Sequence, residues 1–205
     1  MEDQITSVEW NKGRAKLCIN EEEYLVISGA LYREAKLHKG MTFSLENFKA
    51  WLLPRQCQEA LHSAVTYLSH SDRSRGEIRK KLSTRFYNDE VIDFVLYKLE
   101  KERLINDEAY ALAYAQSRLR TQHGRIQIKQ ALRMKGIDSS LIEAVMEQLP
   151  EEAGHSEATL LAKKLLRRYA DDEPRKAYQK MLGAMARRGY SLSEAKKAIT
   201  AASED

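Results

Sequence analysis

The sequence predicts a mainly α-helical protein, with three tandem three-helix repeats in an elongated array, preceded by a small N-terminal β-meander and helix region. Three observations support this fold class. An amphipathic apolar pattern occurs three times at intervals near 50 residues, and repetition at such a period is typical of helical arrays. Short runs of alternating polar and apolar residues lie near the N-terminus. The composition combines 31% charged residues with 3 prolines in 205 residues, which favours helices with solvated outer faces.

The N-terminal region, residues 1–57, has a strand-like pattern and no net charge, with 8 basic and 8 acidic residues. Three short alternating runs are separated by residues that favour turns; they are 5–10, 15–19 and 24–27. They predict a small antiparallel meander, which needs a helix to pack on because a few short strands are marginal alone. Residues 29–37 can supply that helix, ending near Gly40, and Pro54 falls at a plausible junction with the next region.

The apolar stripe of an amphipathic helix recurs in three places. Its first copy has apolar residues at positions i, i+3, i+4 and i+7, the spacing that buries one face of a helix; they are Ile92, Val95, Leu96 and Leu99. The second copy lies 50 residues later and comprises Ile142, Val145, Met146 and Leu149. The third lies a further 53 residues along and comprises Ala195, Ala198, Ile199 and Ala202. These stripes predict the cores of three related helical units.

Residues that begin and end helices align at the same offsets. Each stripe follows a residue type that caps helix N-termini; these are Asn88, Asp138 and Ser191. Ser191 and Glu194 also fit a capping box. Gly136 and Gly189 suit the left-handed end of the preceding helix. Phe86 stands at the matching place in the first unit, so we expect that turn to differ.

Each unit also contains an earlier helix, which completes a three-helix repeat. These helices are expected at about 58–70, 107–119 and 156–169. The repeats are therefore placed at 58–106, 107–150 and 151–205. A short linker is expected from Pro150 to Gly154, before the third repeat.

Basic residues cluster more strongly than the net charge of +4 suggests. The stretch from Ala109 to Ile137 contains no acidic residue, and its second half is rich in arginine and lysine. Matching clusters occur in the first and third repeats. We interpret the set as a face that binds an acidic, extended partner, while any single member could simply belong to a solvated helix face. The candidates are Arg73, Arg75, Lys81, Arg85, Arg118, Arg120, Arg125, Lys129, Arg133, Lys135, Arg187 and Arg188.

Several other classes of function lack their sequence signals. There is no glycine-rich nucleotide-phosphate loop, and the five histidines lack the spacing of a metal site. Cys18 and Cys57 are isolated, as expected of reduced, buried cysteines. No secretory signal or membrane-spanning apolar run is visible. We therefore expect a cytoplasmic, monomeric protein without catalytic activity, metal or cofactor.

Each of the three repeats carries short motifs in addition to its apolar stripe. The first carries Arg73-Ser74-Arg75 followed by Glu77-Ile78 and Lys81-Leu82, and the next element is the segment 104–111. The second repeat carries Gly124 and the segment 135–137, and the third carries the turn 187–190. These motifs resemble those of the RecX family of recombinase regulators, and the resemblance covers roughly residues 58–200. Phe86 departs from the pattern, because the family usually has glycine there.

The resemblance implies a modulator of RecA that takes part in DNA repair, homologous recombination and the SOS response. Such proteins bind along the groove of the RecA–DNA filament, limit its growth, and inhibit its recombinase, ATPase and coprotease activities. The alternative is a stand-alone nucleic-acid-binding protein, since basic helical repeats also fit that class. Contact with RecA and weak contact with single- or double-stranded DNA could coexist.

Overall fold

The computed structural model describes residues 2–204, apart from the side chains of residues 151–153. Ten helices and four strands are found among the described residues, so the mainly α-helical fold class with a small N-terminal strand region is confirmed. The chain divides into two compact units. Unit 1 comprises the described residues up to Asp72 together with Ile78–Leu104. Unit 2 comprises Arg73–Glu77 together with the described residues from Ile105 onwards.

Unit 1 begins with a four-stranded antiparallel sheet in the order β3-β2-β1-β4. Its strands are β1 (Asp3–Asn11), β2 (Arg14–Ile19), β3 (Glu23–Ser28) and β4 (Thr42–Phe43). The predicted meander of the first three strands is confirmed. The sequence did not indicate β4, because a two-residue strand has no readable alternation and forms by pairing with the edge of β1.

Two helices follow the meander and pack on it. These are α1 (Gly29–Glu34) and α2 (Leu45–Leu68), and each is capped at its N-terminus by a serine side chain. The core beneath them contains buried residues from the strands and both helices; they are Ile5, Ala15, Leu17, Ile27, Leu31, Leu37 and Leu52. Gln56 Nε2 donates to the Val26 carbonyl at 2.9 Å, which ties α2 to β3.

The junction expected at Pro54 is wrong, because Pro54 lies inside α2. A proline in a helix interior costs about 3 kcal/mol, since its ring removes one backbone hydrogen bond and crowds the preceding turn. Burial along the helix offsets that cost, through residues that include Leu52, Cys57, Ala60 and Ala64. The helix therefore continues across the boundary that was placed after residue 57.

The remaining helices of unit 1 form around the first apolar stripe. Helix α3 (Arg75–Ser83) begins in unit 2 and continues into unit 1, and α4 (Asp89–Lys101) packs on α2. All four predicted stripe residues of α4 are buried. Asn88 caps α4, since its side-chain oxygen accepts a hydrogen bond from the Val91 N–H at 3.0 Å.

Unit 2 contains six further helices. They are α5 (Asp107–Arg120), α6 (Arg125–Met134), α7 (Ser139–Gln148), α8 (Glu151–Arg168), α9 (Pro174–Arg187) and α10 (Leu192–Glu204). The second and third apolar stripes are buried in two clusters, one among α5–α7 and one among α8–α10. Ser191 and Glu194 form the predicted capping box, with bonds of 2.7 and 3.2 Å. The linker expected over 150–154 is wrong, because α8 begins at Glu151 and accommodates Gly154.

The turns after α3, α6 and α9 share one conformation. Gly136 and Gly189 have φ values of +75° and +84°, as predicted for left-handed helix ends. Phe86 also has a positive φ, of 61°. The Tyr87 N–H donates to the Leu82 carbonyl at 3.4 Å, and the matching bonds of the other two turns measure 3.2 Å. The expectation of a different first turn is therefore wrong. The buried residues on either side fix this turn and hold Phe86 in a conformation that disfavours a side chain.

Candidate partner and nucleic-acid interface

Unit 2 contains two equivalent joints, in each of which a donor from one repeat binds a backbone carbonyl of the next. Ser74 Oγ donates to the Lys135 carbonyl at 2.5 Å, and the Gly124 N–H donates to the Arg188 carbonyl at 2.7 Å. Ser74 and Gly124 are 50 residues apart, and Lys135 and Arg188 are 53 apart, which are the offsets of the repeat. In each joint, the segment that starts one helix docks on the left-handed turn of the following repeat. We call these two contacts the first and second inter-repeat joints.

Glycine allows the backbones to approach closely at both joints. A Cβ atom on Gly124 would lie 2.1 Å from the Gly189 carbonyl oxygen, and one on Gly76 would lie 2.6 Å from the Lys135 carbonyl oxygen. Both distances are far below van der Waals contact, and the obstructing atoms belong to the backbone. Any side chain at either position would therefore push the joint apart.

The first joint also contains a half-buried ionic network around Glu77. Lys135 Nζ lies 3.0 Å from Glu77 Oε1, while the Tyr110 hydroxyl and the Ser74 N–H donate to Oε2 at 2.9 and 3.1 Å. Burial opposes ionisation of Glu77, but these hydrogen bonds prevail and lower its pKa below the ordinary value. Burial likewise opposes the charge on Lys135, and its bonds to Tyr110 and Glu77 outweigh that effect and raise its pKa. The positive charge of Lys135 is therefore offset by Glu77, and the side chain serves the fold.

Two other candidates flank this network. Arg73 Nη1 lies 3.9 Å from Glu77 Oε1. The Arg75 N–H donates to Asp107 Oδ1 at 2.7 Å, so the start of α3 is tied to the start of α5. Both arginines thus lie within the first joint, where their contacts are intramolecular.

Helix α6 provides two further candidates that are engaged within the protein. Arg125 donates from Nη1 to the Met146 carbonyl at 2.7 Å and from Nη2 to the Leu149 carbonyl at 2.9 Å. The last carbonyls of a helix lack intrahelical partners and carry partial negative charge, so Arg125 caps the C-terminus of α7. Lys129 forms an ion pair with Glu143 on α7.

The two candidates of unit 1 contact neutral neighbours. Arg85 Nη1 donates to Ser63 Oγ at 2.8 Å. Lys81 Nζ lies 5.2 Å from the centre of the Tyr67 ring, within the range of a cation–π interaction. These contacts join α3, or the turn after it, to α2.

Four of the twelve candidates are exposed and form neither an ion pair nor a side-chain hydrogen bond with the described residues. They are Arg118, Arg120, Arg133 and Arg187. Arg118 lies 5.0 Å from the ring centre of Tyr114, which is a neutral partner. Their positive charges therefore face solvent without a neutralising group from the described part of the chain.

The twelfth candidate, Arg188, lines a basic cleft of about 490 Å³ between α8, α9 and the 121–123 turn. We call this the α8–α9 cleft. Its other basic residues are Lys164, Arg168 and Arg187, and His123 lies beside them. None of the described residues that line it is acidic. The sequence interpretation missed Lys164 and Arg168, although their spacing of four residues places them on one side of α8.

The described residues contain no group of three or more histidine, cysteine, aspartate or glutamate side chains that could hold a metal ion. None of the helices in that part of the chain has the length and apolar character needed to cross a bilayer.

Three-helix units that repeat one docking joint and present basic side chains define a helical-repeat binding protein. Comparison with known proteins specifies the family. The models of the first, second and third three-helix domains of RecX match residues 60–99, 106–146 and 156–199. The chain therefore belongs to the RecX family.

Individual relatives extend this match over nearly the whole chain. The regulatory protein RecX of Streptococcus sanguinis (strain SK36) is 32% identical over 198 residues, which are 95% of this chain and 75% of the relative. That of Clostridioides difficile (strain 630) is 27% identical over 199 residues, covering 95% and 93%. A crystal structure of a regulatory protein RecX matches with a TM-score of 0.67 and 28% identity, over 99% of this chain and 100% of the other.

Proposed function

We propose that this protein binds the filament that RecA forms on DNA and inhibits its growth and its recombinase, ATPase and coprotease activities. In this role it modulates DNA repair, homologous recombination and the SOS response. It acts in the cytoplasm as a monomer, by binding and without catalysis or cofactor. The observation that carries the proposal is the match to three consecutive RecX domains. Serial repeats present serial binding surfaces, which suit a partner that is itself repetitive.

We assign the contacts with the filament first to the four exposed arginines, Arg118, Arg120, Arg133 and Arg187. Their proposed partners are acidic side chains of RecA and DNA phosphates within the filament. The other candidates, apart from Arg188, contribute mainly by holding the repeats in place, since their side chains or backbones contact the protein itself. A single exposed ion pair contributes about 0–1 kcal/mol, so affinity has to come from many contacts.

The test is inhibition of the DNA-dependent ATPase of RecA at low salt. The informative variant replaces all four exposed arginines with glutamine. A matched control replaces four exposed lysines elsewhere, Lys39, Lys101, Lys196 and Lys197, and so makes the same change in charge. We expect the arginine variant to lose inhibition and the lysine variant to retain it. Wild-type protein that neither binds RecA filaments nor slows their ATPase would refute the proposed function.

The second candidate function is stand-alone binding of nucleic acid. The α8–α9 cleft favours it, because the described residues lining that cleft include basic groups and no acidic ones. Binding to phosphates should then weaken with salt, with a log–log slope of about −0.7 to −0.9 per contact. Tight, salt-dependent binding to DNA without any effect on RecA would select this function over the first.

Filament kinetics distinguish two ways of inhibiting growth. A protein that caps filament ends should act when it is far scarcer than RecA, whereas one that occupies the groove should need amounts that scale with filament length. Disassembly rates measured at substoichiometric ratios therefore decide between end capping and groove binding.

A further inference from the structure

The basic residues of the α8–α9 cleft pair with no carboxylate of the described residues, unlike Lys135 of the first joint, which pairs with Glu77. Lys164 Nζ donates to Gln122 Oε1 at 3.1 Å, and Arg188 Nη1 donates to the Thr121 carbonyl at 3.0 Å. Both acceptors are neutral oxygens, which orient a cation without cancelling it. Arg168 pairs with no carboxylate of the described residues. The cleft is therefore a local concentration of uncompensated positive charge.

This concentration of charge is unfavourable without a ligand. Lys164 and Arg168 are four residues apart on α8, where like charges destabilise a helix. Arg187 and Arg188 are adjacent at the end of α9 and face the same cleft. An anion placed among the four cations would remove the repulsion and gain attraction from each of them.

The cleft is also held in shape before any ligand binds. The bonds from Lys164 and Arg188 connect α8 and α9 to two consecutive residues of the turn between α5 and α6. Gln122 has a left-handed backbone, with φ of 61°, so its position in that turn is specific. Cations that are already oriented lose less side-chain freedom on binding.

We propose that the α8–α9 cleft binds the phosphodiester backbone of nucleic acid. The apolar side chains beneath it, Leu161 and Leu165, are only 6% and 4% exposed, so they offer little surface to the apolar side chains of a peptide. The accessible groups are cationic ends, together with His123 and Gln127. Such donors suit phosphate oxygens, and Arg binds them in a bidentate manner.

A second, smaller cleft continues this surface. It has a volume of about 190 Å³, shares His123 and Gln127 with the first, and is lined by Tyr114 and Arg118. A basic strip that includes an aromatic residue is typical of sites that follow a nucleic-acid backbone. Two adjoining clefts suit a chain of phosphates better than a single acidic side chain.

This inference deepens the proposed function and rests on it for its biological setting, but it is tested without RecA. Fluorescence anisotropy of a labelled thymidine oligonucleotide is measured over a range of salt concentrations. The test protein carries Lys164→Gln and Arg168→Gln. The control carries Lys196→Gln and Lys197→Gln, an equal change in charge at exposed positions of α10.

The loss of two phosphate contacts should make the log–log slope of affinity against salt shallower by about 1.4. If the affinities at 1 M salt are equal, binding at 0.1 M salt is then about 25-fold weaker. The control should keep the wild-type slope. Arg168→Gln alone, which removes no hydrogen bond or ion pair seen within the described structure, should make the slope shallower by about 0.7. This single variant serves if the double variant unfolds in a thermal melt.

Poly-glutamate provides the competing ligand. A test protein that loses poly-glutamate binding but keeps the wild-type oligonucleotide slope would overturn the inference and identify a site for acidic protein. Equal slopes for the wild type, test protein and control would also overturn it. Wild-type protein that binds the oligonucleotide through this cleft yet leaves the RecA ATPase unchanged would refute the proposed function while supporting the inference.

Discussion

Arg125 provides the sharpest test of which basic residues hold the fold and which are free to bind. Its guanidinium donates two hydrogen bonds, of 2.7 and 2.9 Å, to the last carbonyls of α7. Replacing it with methionine keeps much of the side-chain length and removes both donors. Arg133→Met is the matched control, because it makes the same substitution on the same helix at an exposed position.

The expected magnitude for Arg125→Met follows from these two bonds. Hydrogen bonds to charged groups contribute about 1.5–3 kcal/mol each. The side chain is only partly buried, so water can reach the freed carbonyls, and we expect a net loss of about 2 kcal/mol in the free energy of unfolding. For a chain of this size, that loss lowers the melting temperature by about 4–8 °C. Arg133→Met should stay within about 0.5 kcal/mol of the wild type.

Urea unfolding followed by circular dichroism measures both variants, and inhibition of the RecA ATPase measures their function. We expect Arg125→Met to be less stable but active at temperatures where it is folded, and Arg133→Met to be stable but less inhibitory. Equal stability of the two variants would refute the structural role of Arg125. Loss of inhibition by Arg125→Met without loss of stability would place Arg125 in the binding surface instead.

Two further predictions concern the turn after α3 and the Glu77 network. Because residue 86 has a positive φ, the Phe86→Gly variant should be more stable than Phe86→Ala by about 1 kcal/mol. The measurement is the difference between their free energies of unfolding in urea. Equal stability would show that the turn relaxes. Because its folded-state pKa is lowered, Glu77 should stabilise the protein fully above the unfolded-state pKa near 4.5, and lose that contribution as the pH falls through the folded value. Unfolding free energies of wild type and Glu77→Gln should therefore converge as the pH falls below about 4.5; a constant difference from pH 7 to pH 3 would contradict the assignment.

Local signals in the sequence predicted the helical units well. The apolar stripes and the capping residues depend on interactions within a few residues of one another, so spacing alone reveals them. Asn88 and the Ser191–Glu194 pair make the expected capping bonds. The left-handed conformation of Gly136 and Gly189 was predictable for the same reason, since a helix end with that geometry disfavours most side chains.

Features that depend on tertiary packing were harder to predict. Pro54 looked like a boundary because its local preference is against a helix, but burial along α2 outweighs that preference. Phe86 likewise adopts the conformation that the flanking buried residues impose. In both cases, a local cost of about 1–3 kcal/mol is smaller than the gain from packing the adjacent apolar residues.

The roles of individual basic residues were the least predictable part of the candidate site. The sequence showed that Arg125 and Arg133 lie in one acid-free stretch, but not that the carbonyls at the end of α7 approach only the former. Lys164 and Arg168 escaped notice because they lie in a different repeat from the turn that they face. Charge clustering therefore identified a basic region, whereas three-dimensional contacts separate its structural cations from its exposed ones.

The two inter-repeat joints accept their hydrogen bonds through the carbonyls of Lys135 and Arg188, so the side chains at these positions take no part in the docking bond itself. One side chain is held by a carboxylate at the first joint, and the other lines a cleft at the second. Duplicated units can thus diverge in chemistry while they keep a common way of stacking. Substitution at such a position changes the side-chain contacts that a repeat offers and leaves the docking bond of the backbone carbonyl in place.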